Sequence, residues 1–110
     1  MERKSTPTGE VITLESRQEL TVARAALANF THSPLSLLRR RAYIRLALNI
    51  DAERSDRYRE DSDEPLPLTI RDSKLCIRAL EYVAAKEDAG LIPRGAQTGY
   101  SALLAESKHV

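Results

Sequence analysis

The sequence predicts an all-α fold, a small helical bundle of three main helices plus a short C-terminal helix, expected to dimerise. Three observations carry that prediction. Leu and Ala supply 29 of the 46 apolar residues against ten for Val and Ile, and unbranched side chains lose little rotamer freedom in a helix. Apolar residues recur at spacings of three and four in several long segments. No alternating pattern of useful strand length is present, Glu10–Leu14 being the one weak candidate. At 110 residues the chain has room for a single domain.

Taken in order, residues 1–12 read as a flexible N-terminal arm, because Pro7, Gly9 and small polar residues dominate the first ten positions. A helix is expected from Leu14 to Thr31, with Thr13 as N-cap and Leu20, Ala23, Leu27 and Phe30 as its apolar stripe. Ser33 and Pro34 then form a helix-start signal. The second helix runs to Ile50 at least, with a charged continuation towards Arg59. Pro65 and Pro67 make residues 60–67 an acidic loop, since a proline disfavours helix in the residue before it. Thr69-Ile70-Arg71-Asp72 resembles a capping box and opens a third helix over Ile70–Ala89, ended by Gly90 and Pro93. A last short helix falls between Thr98 and Ser107. This leaves a helical domain at 13–107 and a tail at 108–110.

The second helix is the informative one. At 100° per residue, Leu35, Leu38, Ala42, Leu46 and Ile50 form one apolar stripe. Leu37, Ile44 and Leu48 form a second, roughly opposite, with Arg41 and Arg45 beside it. Two stripes need two neighbours. A third helix with its own broad apolar face makes one face surplus, and a surplus apolar face marks an interface with another protein or another copy. Leu37, Ile44 and Leu48 are the candidate anchors, and Arg41 with Arg45 the orienting rim.

Charge is balanced only in total: 17 bases against 16 acids give +1, so no global field draws the chain to nucleic acid or membrane. Locally, Arg39, Arg40, Arg41 and Arg45 stand in a window from Thr31 to Ile50 that has no acid. Directly after it, residues 51–64 hold seven acids and three arginines. A DNA-reading helix spreads its arginines over one groove-facing side, whereas three consecutive arginines splay around the axis. A small DNA-binding repressor using Arg39–Arg45 is therefore the alternative, and a protein interface with an arginine rim the preferred reading.

Catalytic and metal chemistry find little footing. Cys76 stands alone on an apolar helix face, and His32 and His109 are the only imidazoles. A nucleophilic Cys needs a base beside it, and one Cys with two distant His residues makes no structural zinc site. The acidic segment lacks the spacing and central Gly of a calcium loop. No enzyme activity, cofactor or metal is expected. No apolar run follows the charged first residues, and none reaches the length of a membrane span, so a cytoplasmic protein is expected.

In length, helical character and the double-faced segment from Pro34 to Arg45, the sequence resembles the small bacterial antiactivators that bind transcription factors, in particular those of quorum sensing. That resemblance implies a homodimer that binds a LuxR-type regulator and blocks its dimerisation or its DNA binding.

Overall fold

Pro7 and Thr8 are where the chain first turns back on itself. In the computed structural model, which describes residues 1–110, β1 (Glu2–Thr6) and β2 (Gly9–Leu14) flank this two-residue turn. They pair antiparallel from Glu2↔Thr13 to Thr6↔Gly9. The expected arm at 1–12 is thus a hairpin, and Pro7 and Gly9 are its turn chemistry. Arg3 holds the register with a two-point bond to Glu10, at 2.7 and 3.0 Å, and that bond keeps the Glu10 carboxyl below the ordinary glutamate range. Gly9 has φ of +151°, and a Cβ there would meet Ile70 Cγ2 at 2.7 Å. Only glycine lets the hairpin lie this close to Ile70.

The remaining elements are α1 (Arg17–Thr31), a 3₁₀ helix (Pro34–Arg39), α2 (Arg40–Glu60), β3 (Leu66–Pro67), α3 (Ile70–Asp88), α4 (Tyr100–Ala105) and β4 (Lys108–His109). β3 lies in the expected loop and β4 in the expected tail. The four strands form one mixed sheet in the order β3-β2-β1-β4, antiparallel except for β1 with β4. The all-α helical bundle expected from the sequence is therefore corrected to a mixed fold of helices and sheet. β1 reads Glu-Arg-Lys-Ser-Thr and carries no apolar periodicity. It is held by partners at both ends of the chain, which no local pattern records.

One face of the sheet packs on α3. Ile12 and Leu14 are fully buried, and the Ile12 N–H, which has no strand partner, donates to Ser73 Oγ at 2.9 Å inside the core. Leu14 thereby belongs to the sheet. α1 starts later than expected, with Ser16 instead of Thr13 as its cap: Ser16 Oγ accepts from the Glu19 N–H at 3.2 Å. α3 starts at Thr69 as the sequence predicts, its hydroxyl accepting from Asp72 N–H at 3.1 Å.

The helices assemble around α1, which buries Leu20, Ala23, Ala26, Leu27 and Phe30. α2 and α3 both lie against it, and they hardly touch each other. Phe30 sits at the centre, 4.6 Å from the Tyr43 ring of α2 and 5.3 Å from Tyr82 of α3. No helix is long and apolar enough to cross a membrane.

α4 is anchored through one carboxylate. Glu87 accepts the N–H groups of Gly99 at 2.8 Å and Ser101 at 3.0 Å. Burial pushes its carboxyl up, but these backbone bonds outweigh it and leave the group below the usual glutamate range. A carboxyl lowered by folding stabilises the folded state above its unfolded value and loses that contribution as pH falls through its folded value. Glu87→Gln is therefore expected to lower stability at neutral pH. The gap to wild type should narrow below pH 4.5, the ordinary glutamate value, in denaturant titrations at a series of pH values. Ser73→Ala leaves a buried backbone donor unpaired and should cost about 1–3 kcal/mol, read as a lower urea midpoint at unchanged slope.

Candidate interaction groove

The segment between α1 and α2 decides where the expected interface residues point. Pro34 sits at the start of the 3₁₀ helix, where its missing N–H costs nothing. Ser36 is completely buried, and its hydroxyl is within 2.9 Å of the Thr31 carbonyl and 2.8 Å of the Ser33 carbonyl. This clasp ties the segment to the end of α1. Ser33, expected to cap, makes no capping bond with its side chain.

Six residues of 3₁₀ helix advance at 120° per residue instead of 100°, so the helical wheel through Leu35 and Leu38 breaks. Both were expected on one stripe with Leu46 and Ile50. Leu46 and Ile50 are buried against α1, whereas Leu35 is exposed and Leu38 wholly so. The exposed apolar set on this side is consequently larger than the sequence indicates. Leu37 (65%), Ile44 (40%) and Leu48 (64%) are also open to solvent.

Because α2 and α3 both lie against α1 but hardly touch each other, their N-terminal ends leave a groove of about 1100 Å³ between them. Leu37, Leu38, Ala42, Ile44, Ile70 and Leu75 supply its apolar surface. Arg39, Arg40, Arg41, Arg71 and Lys74 supply five cations, and no acid lines it. Thr8, at the tip of the hairpin, closes one side. Of the five residues expected at an interface, Leu37, Arg41 and Ile44 line this groove. Arg45 lines a smaller adjoining pocket of about 250 Å³ with Asn49, Thr69 and Asp72. Leu48 lies one helical turn beyond Ile44. Ile70, Arg71, Lys74 and Leu75 were not among the candidates, since α3 comes beside the start of α2 only in three dimensions. An acid-free basic run on a second helix would have been the one available signal, and Asp72 interrupts it.

The electrostatics of α2 divide at its middle. From Asp51 onward most of the acids are engaged: Asp51 with Arg24 at 2.7 Å, Glu53 with Arg57 at 2.6 Å, and Asp56 with Arg59. Arg17 reaches back from α1 to Asp61 at 2.9 Å and Asp63 at 3.3 Å, holding the Asp63 carboxyl low through its backbone N–H. Arg57 is buried and also bonds the carbonyls of Glu64 and Pro65, so it pins the loop as well. None of Arg39, Arg40, Arg41, Arg45, Arg71 or Lys74 takes part in an ion pair. Arg40 alone is tethered, by bonds of 3.4 Å to Ser36 Oγ and the Ser33 carbonyl. Five of the seven acids that the sequence sets against the arginines are thus paired internally, all but Glu60 and Glu64, and the basic block is open.

Cys76 does not belong to this surface. It is buried in the core of α3, where burial, and after it the Asp72 charge, push its thiol up to about 12. A thiol-reactive chromogenic disulfide at about pH 8 should therefore label Cys76 at the rate of unfolding; fast labelling of the native protein would contradict the burial. No protein-family model matches the chain, and neither does any curated protein or solved structure.

Proposed function

We propose that this chain is a protein–protein interaction regulator, working by covering a surface of its partner with the groove between α2 and α3. The observation that carries this reading is the composition of that groove: six apolar side chains beside five cations, with no acid among them. Exposed apolar surface rimmed by charge is the ordinary signature of a docking site, and arginine is enriched in such sites because its long stem packs while its head bonds. The mode is burial of a partner element against a helix face. Leu37, Ile44 and Leu48 serve as anchors, and Arg41 and Arg45 orient the partner.

The resemblance to antiactivators names a LuxR-type transcription factor as such a partner, inhibited by loss of its own dimerisation or of its DNA. That resemblance now rests on length and on the Pro34–Arg45 segment, because its all-helical component fell with the sheet. A homodimer belongs to the same proposal.

A small DNA-binding repressor is the second reading, supported by Arg39, Arg40, Arg41, Arg45, Arg71 and Lys74, which stand together without ion-pair partners. It requires binding that falls steeply with salt as phosphate counterions are released; absence of duplex binding at low salt removes it.

Leu37→Asp combined with Ile44→Asp tests the first reading. Both side chains are exposed, so the double variant should melt within a few degrees of wild type. It should lose the proteins that wild type retains from nuclease-treated cytoplasmic extract. Retention of the same partners by the folded double variant would sink the assignment.

A further inference from the structure

We infer that the groove takes an acidic amphipathic helix of another protein, one with a leucine-type stripe flanked by Asp and Glu. This inference rests on the interaction function proposed above and specifies the partner. Its basis is charge complementarity on an apolar track. The track from Leu37 through Ile44 to Leu48 spans about 18 Å at 3₁₀ and α-helical rises, or three turns of a docked helix. Anchors at i, i+3 or i+4 and i+7 fit that length. The cations stand beside the track, Arg41 and Arg45 from α2 and Arg71 and Lys74 from α3. Asp72 is the one acid near them, in the pocket with Arg45 and Arg71, and it forms an ion pair with none of the four.

Other occupants fit the same surface less well. Two copies meeting about a two-fold axis would set the arginine rows against each other, since a patch in such a contact faces itself, and like charges in contact oppose binding. A head-to-tail contact through the acidic half of α2 would find only Glu60 and Glu64 free to meet six cations, because Asp51, Glu53, Asp56, Asp61 and Asp63 are held by their own arginines. A phosphate backbone would satisfy the cations yet leave Leu38, fully exposed, and Leu37 in water. A small anionic amphiphile would fill the groove and leave Leu48 bare.

The test uses synthetic amphipathic helices of about 18 residues, five turns, with one common leucine stripe flanked by Glu, by Lys or by Gln. Binding to the full chain is read by fluorescence anisotropy at physiological ionic strength. The Glu peptide should bind at least about tenfold tighter than the other two. The charge-reversed variant Arg41→Glu with Lys74→Glu, both changes on the surface, should reverse the preference towards the Lys peptide. Equal binding of all three peptides, tighter binding of the Lys peptide, or no binding of the Glu peptide overturns the inference. So does a DNA duplex that binds wild type more tightly than the Glu peptide. If Leu37→Asp with Ile44→Asp loses a cytoplasmic partner while no Glu peptide binds, the acidic helix is overturned and the interaction function stands.

Discussion

The small-residue face of α1 is the constraint from which the rest of the structure follows. Ala23 and Ala26 are fully buried, and with no bulk between Leu20, Leu27 and Phe30 they let two helices approach one. α2 takes one flank and α3 the other. Interdigitated packing at about 8–10 Å between axes fills α1 on both sides but leaves α2 and α3 apart from each other. The sheet covers the far side of α3, and α4 closes the end through Glu87. α2 alone has a single helical neighbour, and its second apolar stripe stays in water for that reason.

The 3₁₀ helix turns this vacancy into a shaped groove. Ser36 draws the segment onto the end of α1, and the altered angular step sends Leu35, Leu37 and Leu38 outward. The same step brings Arg39, Arg40 and Arg41 round the mouth of the gap, where α3 adds Arg71 and Lys74. Ion pairs further along α2 take up five of the seven acids there, all but Glu60 and Glu64. The result is a molecule of near-zero net charge with one end strongly positive and apolar. Apolar area supplies about 25 cal/mol per Å² when covered, and unpaired cations select what covers it.

Much of the helical framework was legible in the sequence. The Thr69 cap, the stop at Gly90 and the continuation of the second helix past Ile50 are local signals, and each has its cause within a few residues. Counting stripes against neighbours required one surplus apolar face and made Leu37, Ile44 and Leu48 its candidates. The sheet was illegible for a physical reason: β1 is polar throughout, and its strand state comes from hydrogen bonds to β2 and β4, the latter more than a hundred residues away. Pro7 and Gly9 carried the turn signal, but a turn signal without an apolar alternation beside it reads equally well as a loose arm. The phase break at Pro34–Arg39 was hidden too, because a 3₁₀ and an α-helical start share the same Ser-Pro signature.

By itself the sequence determined the existence of the helices, the Thr69 cap and the Gly90 stop, the surplus of apolar face and the separation of charge into a basic and an acidic block. These are properties of spacing and order, set by interactions within about one turn of chain. The tertiary structure alone decided which face was surplus, that residues 2–14 pair as strands, and that Ile70, Arg71, Lys74 and Leu75 stand opposite Arg41 and Ile44. It also decided that Asp51, Asp61 and Asp63 are answered by Arg24 and Arg17 of α1, whereas Arg39, Arg40, Arg41 and Arg45 take part in no ion pair. Long-range pairing depends on how helices of fixed shape stack on Ala23 and Ala26, and that packing has no signature in any local stretch of residues.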